Sequence, residues 1–368
     1  MTLLINSLRG GGAERVCATL ANELRDAGWN VQLLVLNLHD AVVRDAVDPR
    51  IPVVELGVEH VRSGLAGIAR YIRRNTPERF LVFNHQLAVV LVWLRAIGVG
   101  RFAIVARNIS TLSRKAALEP SFWHRRVIHA LTRIFLRRAD TVIAQSAGMK
   151  RDLIENYGVE ARRLRVIHNP LAPRFRHHGS AAPVPWAERG DEILYVGRLL
   201  PIKGLELLID ACALCMRERP GLVLRLVGAG EQECELRDRV ARAGIAARVI
   251  FHGYVADTVP IFARAKVVAM TSHYEGFPNV LVEALSQGTP VVSVDCASGP
   301  AEIVEDGLNG FLCRSREPAD YARSLQRALD RQWDLEAVRR TADRFSSRDI
   351  AAEYARVLSE SGPGGRAP

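Results

Sequence analysis

One stretch constrains the fold more than any other. A continuous apolar run, Val267-Val268-Ala269-Met270, leads into Thr271-Ser272-His273-Tyr274-Glu275-Gly276-Phe277-Pro278-Asn279, then Val280 to Glu283, and closes at Gly288-Thr289-Pro290. Such a run is what a parallel strand covered on both faces requires. Pro278 suits the first turn of a helix and Gly288 the position just past its end. Glu275 is therefore expected in the loop at a strand's carboxyl end, where open α/β sheets bind ligands. Glu283 falls about one turn into the helix on the face of Asn279. A loop carboxylate beside free backbone N–H groups can grip sugar hydroxyls, and one set back along the helix can accept two hydrogen bonds from a ribose. A solvated helix glutamate and a loop cap would also give two glutamates at this spacing. The Gly276-Phe277-Pro278 turn and the apolar strand before it favour the ligand site.

The chain of 368 residues is long enough for two domains, each with its own core. An apolar content of 48% and a charged content of 24% are those of a globular protein. The charge is uneven: residues 1–185 carry 27 Lys and Arg against 14 Asp and Glu, while residues 186–368 carry 23 against 26. The first half is thus expected to face something anionic. Six cysteines show no repeating ligand spacing, and Cys212-x-x-Cys215 falls inside a helical run, so reduced, buried thiols are expected. The N-terminus opens as a strand without a charged leader, and the longest apolar run, from Leu87 to Leu94, is far too short to span a bilayer. A cytoplasmic protein is expected, peripheral on the membrane if bound to it at all.

Taken in order, strand-like runs at the N-terminus, Val31–Leu36, Phe80–Phe83, Ile104–Ala106 and Thr141–Ala144 alternate with helical stretches, which predicts a doubly wound sheet. The first strand runs into Arg9-Gly10-Gly11-Gly12-Ala13-Glu14-Arg15 and then a helix, an arrangement suited to an anion. It is no dinucleotide fingerprint, because G-x-G-x-x-G is missing; a bare glycine turn is the other reading. His85, after Phe83-Asn84, can donate to a sugar hydroxyl, share in proton movement or bond a neighbouring loop. Arg107 ends the next strand. In residues 121–138, Trp123, Val127, Leu131 and Ile134 form one stripe and Arg126, His129, Arg133 and Arg137 another. That is either a core helix with a basic outer face or a surface for an anionic leaflet or lipid diphosphate. Composition shifts at residues 177–185, a linker. The expected domains are 1–180 and 186–345, with a helix near 346–360 crossing back to the first.

The second half opens with strand Glu192–Val196, followed by Gly197-Arg198 and Lys203-Gly204 before a helix from Leu205. Arg198 offers a fork for phosphate oxygens and Lys203 a mobile point charge, so the pair can hold a diphosphate. A second glycine turn, Gly228-Ala229-Gly230, follows strand Val223–Val227, and strands are expected again at Val249–His252 and Val291–Val294. No two aspartates stand two apart, so a D-x-D metal site is absent from the sequence.

Glu275-Gly-Phe-Pro through Glu283, with Ala284-Leu285, Gly288-Thr-Pro290 and Gly307-x-x-Gly310-Phe311, resembles the E-x7-E signature of the retaining glycosyltransferase family called family 4. The resemblance implies a GT-B fold, two Rossmann-like parallel-sheet domains facing a cleft. It implies donor-binding roles for Gly11, Gly12, Gly228, Gly230, Gly276, Phe277, Pro278, Asn279 and Glu283, and catalytic roles for Glu275, Arg198, Lys203 and His85. Glu14 and Arg107 would face the acceptor. The implied reaction moves a sugar from a nucleoside diphosphate, a UDP-sugar such as UDP-N-acetylhexosamine, to a hydroxyl of a glycan or lipid-linked acceptor with its anomeric configuration retained. Among relatives this pattern is familiar from builders of lipid-linked and lipopolysaccharide glycans. No cofactor and no divalent metal would be needed, with Arg198, Lys203 and helix termini meeting the departing charge. A sugar-nucleotide epimerase or hydrolase of the same fold is the nearer alternative. A nicotinamide-type oxidoreductase lacks its glycine turn here. A nucleic-acid-binding protein would explain the pI of 9.7, but aromatic content is only 6% and no such motif appears, so no nucleic acid is expected.

Overall fold

A computed structural model describes residues 1–117, 129–176 and 182–361. The chain forms two compact units: Met1–Ala172 with the chain from Phe345 onward, and Pro173–Arg344.

The first unit is a seven-stranded parallel sheet of β1 (Thr2–Ile5), β2 (Gln32–Val35), β3 (Val53–Glu55), β4 (Arg79–Val82), β5 (Ala103–Arg107), β6 (Thr141–Ala144) and β7 (Leu164–Val166), in the order β3-β2-β1-β4-β5-β6-β7. Side chains of β1 alternate between the two faces. Leu4 joins a core with Leu34, Phe80, Ile104 and Leu91, whereas Leu3 and Ile5 join one with Leu33, Leu20 and Tyr354. Burial on both faces is why β1, β2, β4, β5 and β6 each carry three or four apolar residues in succession.

The helix Ser347–Glu360 closes this second face against the helix Gly12–Asp26. Its N-cap Ser346 accepts from the amide of Asp349, and Ser347 Oγ donates to Glu23 at 2.6 Å. Tyr354, fully buried on that helix, accepts from Arg107 Nε at 3.1 Å. Tyr354→Phe should therefore cost about 1.5–3 kcal/mol, the ordinary value of a hydrogen bond to a charged group. Urea unfolding would show this as a lower midpoint with an unchanged slope.

The second unit is a six-stranded parallel sheet of β8 (Gly190–Val196), β9 (Val223–Val227), β10 (Val249–Gly253), β11 (Ala265–Met270), β12 (Val291–Val294) and β13 (Gly310–Cys313), in the order β10-β9-β8-β11-β12-β13. In each sheet the first strand of the unit lies inside, with the order running away from it in both directions. β1 sits between β2 and β4, and β8 between β9 and β11. Such switch points open a crevice at the carboxyl ends of the strands.

Of the basic run, residues 121–128 lie outside the described residues. The described part is the helix His129–Leu136, and there the stripe differs from expectation: Thr132 and Leu136 are buried, while Leu131 and Ile134 are exposed beside Arg133. Among the described residues no helix is long and apolar enough to cross a membrane.

Candidate active site

The residues expected to act fall at the carboxyl edges of the two sheets. In the first unit, Gly11 is the N-cap of the helix Gly12–Asp26 and no side chain caps that end. A Cβ on Gly11 would lie 2.4 Å from Glu14 Oε2, so the glutamate three residues on folds back over the turn. Gly10, with φ +115°, makes the reversal that brings the chain there. His85 is the first residue of the helix His85–Ala96, half-buried, behind an Asn84 cap whose side chain accepts from Gln86 N.

Arg107 is placed otherwise than the expected acceptor contact suggests. It is 1% exposed, gives Nη2 to Asn169 Oδ1 at 2.6 Å and stacks 5.2 Å from the Phe83 ring centroid. Together with its bond to Tyr354, this makes it a bolt inside the unit.

In the second unit the strand-to-helix turns after β8 and β11 are laced together. β11 ends at Met270, and beyond it no neighbouring strand satisfies the backbone. The amide of His273 instead donates to Ile202 O at 2.8 Å, and Thr271 Oγ1 donates to Lys203 O at 3.0 Å. These bonds set the loops so that Lys203 Nζ meets Glu275 Oε1 at 2.6 Å, with Ser272 Oγ donating to the same oxygen at 2.7 Å. Both side chains of the pair are mostly buried, 22% and 16% exposed, which makes the charge-assisted bond stronger than a surface ion pair.

Arg198, on the first of these turns, is exposed and forms no ion pair among the described residues. Its backbone is fixed from below: the buried Tyr195 hydroxyl donates to Arg198 O at 2.8 Å. Burial raises the Tyr195 pKa well above the usual phenol value; the Glu275 carboxylate adds to the rise and the Arg198 cation opposes it. Cys296 is similarly pushed up to about 11, first by burial and then by Glu275, so it is a neutral thiol at pH 7.

Pro278 is the extended residue before the helix Asn279–Ser286, one position earlier than its first turn. Asn279 and Glu283, half-buried, share a face of that helix, and Gly276, Phe277 and Pro278 are buried. A Cβ on Gly299, at φ +97°, would strike Pro278 Cδ at 2.5 Å and approach Gly276 O, so the turn after β12 packs directly on this segment.

The expected donor glycines Gly228 and Gly230 have a nearer reason for being glycine. Cβ atoms there would lie 1.9 Å from Gly197 O and 2.1 Å from Leu199 O, because Leu199 N donates to Ala229 O and Gln232 N to Leu199 O. They let the Gly228–Gly230 turn press against the turn that carries Arg198. Sequence reasoning missed the parts that Tyr195 and Ser272 play. Only Ser272, three residues before Glu275 in the same loop, carried a local signal.

Among the described residues no group of three or more His, Cys, Asp and Glu is placed to hold a metal. What the second unit presents is a carboxylate, a paired ammonium and an exposed guanidinium on adjacent turns. That suits a ligand with an anionic end and hydroxyls.

Known proteins resemble this chain in sequence and fold. A family profile described as Glycosyltransferase Family 4 matches residues 10–174, and one described as Glycosyl transferases group 1 matches residues 181–346. Glycogen synthase of Mycobacterium tuberculosis is 30% identical over 290 residues, covering 74% of this chain and 67% of the relative. The chain belongs to the family 4 glycosyltransferases. Lipopolysaccharide 1,6-galactosyltransferase of Salmonella typhimurium is 29% identical over 215 residues, 56% of this chain and 58% of that protein. Among solved structures, Anabaena Alr3699/HepE in complex with UDP-glucose aligns with TM-score 0.77 and 25% identity over 98% of this chain and 99% of that one. The two parallel sheets are those of a GT-B glycosyltransferase.

Proposed function

We propose that this glycosyltransferase uses a UDP-sugar, retains the anomeric configuration, needs no divalent metal, and delivers the sugar to a hydroxyl of a glycan or lipid-linked acceptor in cell-surface glycan synthesis. The observation that carries the reading is the Lys203–Glu275 pair, 2.6 Å apart at the carboxyl ends of β8 and β11, beside the exposed Arg198. Arg198 and Lys203 would hold the diphosphate and stabilise its charge as it leaves. Glu275 would grip hydroxyls of the sugar, trading part of its bond to Lys203 for them, and Glu283 would take the ribose. The acceptor oxygen would attack from the side the diphosphate leaves, giving its proton to a phosphate oxygen, so that no enzyme nucleophile is required. Support for the donor comes from HepE, solved with UDP-glucose, and for the acceptor from the lipopolysaccharide galactosyltransferase.

Of the residues at the carboxyl edge of the first sheet, His85 is proposed to act beside the transferred sugar and Glu14 on the acceptor side. The exposed Leu131 and Ile134 beside Arg133 support peripheral contact with an anionic leaflet. An epimerase or hydrolase would convert the donor without an acceptor. NMR of products from UDP-sugars, with and without an acceptor glycan, separates these readings and reports the anomeric configuration.

Binding gives a simpler check. UDP at about 100 times its dissociation constant should add about 2.7 kcal/mol to the stability of the second unit. The shift should be the same in EDTA; a thermal shift that needs added magnesium or manganese would refute metal-independent binding.

A further inference from the structure

Arg316 lies between β13 and the helix Pro318–Asp330, where Ser315 Oγ accepts from Glu317 N at 3.0 Å and fixes the backbone. Its guanidinium reaches back to the loop after β11: Nη2 donates to Thr271 O at 3.0 Å and Nη1 to Ser272 O at 3.2 Å. These carbonyls lie past the end of β11, where no ladder continues, so one planar cation satisfies two of them. Gly204 lies against this group, and its left-handed φ and the Thr271 carbonyl are what require glycine there. A Cβ at that position, φ +58°, would lie 2.6 Å from Arg316 Nη2 and 2.7 Å from Thr271 O.

Thr271 holds Lys203 through its hydroxyl, and Ser272 holds Glu275 through its own. Arg316 grips the carbonyls of both residues. We infer that Arg316 is a positioning residue: it clamps the Thr271–Ser272 backbone and thereby fixes where Glu275 meets Lys203. It donates to the two backbone carbonyls, so its effect passes through the loop. The inference rests on the proposed role of Glu275 at the sugar end of the donor.

Arg316→Met, which keeps length but removes the fork, and Arg316→Lys, which can reach one carbonyl, test it. Two readouts are needed. Hydrogen exchange at the His273 amide, bonded to Ile202 O across the two turns, should speed up at least about tenfold in Arg316→Met and less in Arg316→Lys. In turnover, kcat should fall about tenfold in Arg316→Met, as expected of a misplaced group, with UDP affinity within about twofold of wild type and partial recovery in Arg316→Lys.

Unchanged exchange at His273 would overturn the inference. So would a loss of kcat matched by an equal loss of UDP affinity and of melting temperature, which is what general loosening of the unit would produce. If the unaltered protein turns over no nucleotide sugar, the proposed function fails, and the exchange measurement still decides the positioning role.

Discussion

Arg198→Ala should lower kcat/KM by about 10²–10³, the usual cost of removing one preorganised group that meets charge developing in the transition state. The melting temperature should stay within about 1 °C. The expectation of intact folding follows from the side chain's surroundings: Arg198 is exposed, has no ion pair among the described residues, and its backbone is held by Tyr195 whatever side chain it bears. Arg198→Lys should recover only part of the loss, because an ammonium offers no planar fork to two phosphate oxygens. Steady-state kinetics with saturating acceptor and a UDP-sugar would measure this. Activity within about threefold of wild type in Arg198→Ala would remove the residue from the mechanism.

Neither partner of the ion pair gives so clean a test. Lys203→Met removes the counter-charge of a Glu275 carboxylate that is only 16% exposed, so lost turnover would mix chemistry with local rearrangement. Glu275→Gln keeps a partner for the Ser272 hydroxyl but gives up the charge opposite Lys203. Arg198 has no such second duty.

How much of this could be read from the chain alone depends on whether a residue's partners are close in sequence. Apolar runs announced β9, β11 and β12 because burial on both faces keeps them mostly apolar, with Arg225, Lys266 and Ser293 as their single polar residues. Three-residue strands did not announce themselves: Val53–Glu55 and Leu164–Val166 each include an exposed or half-buried polar residue and lie at sheet edges. The Glu275 loop was legible as a strand end followed by a helix. Its tie to Lys203 joins residues far apart in sequence, and nothing in the sequence announced it. Gly228 and Gly230 show a different limit. A glycine records that something comes close, and here that something is the backbone of Gly197 and Leu199. Arg107 shows the limit for charge: at the end of a strand it looks like a ligand contact, and nothing nearby in sequence foretells Tyr354 packing over it.

Arg189 is the extreme of that last case and should give the largest stability effect. As the residue just before β8, it looks like a solvated strand-end cation, yet it is 4% exposed. Its guanidinium donates to four acceptors: Val184 O at 3.0 Å, Ala265 O at 3.0 Å, Thr289 Oγ1 at 2.6 Å and Gln287 O at 3.2 Å. None is a carboxylate, and burial alone pushes its pKa down to about 10, so it remains a cation at pH 7. Two effects oppose each other in Arg189→Met. The substitution relieves the desolvation of an ion, worth several kcal/mol, but strands acceptors at about 1–3 kcal/mol each. With three backbone carbonyls left unserved where β8 and β11 begin, the loss should win by about 3 kcal/mol. For a unit of this size that is a fall in melting temperature of roughly 6–12 °C. Arg189→Lys should recover little, since one ammonium cannot span the four acceptors. The residue stands at the amino ends of the strands, opposite the turns bearing Arg198 and Glu275. UDP affinity measured well below the transition should therefore match wild type. A melting temperature within 2 °C of wild type in Arg189→Met would show that relieved desolvation cancels the lost bonds.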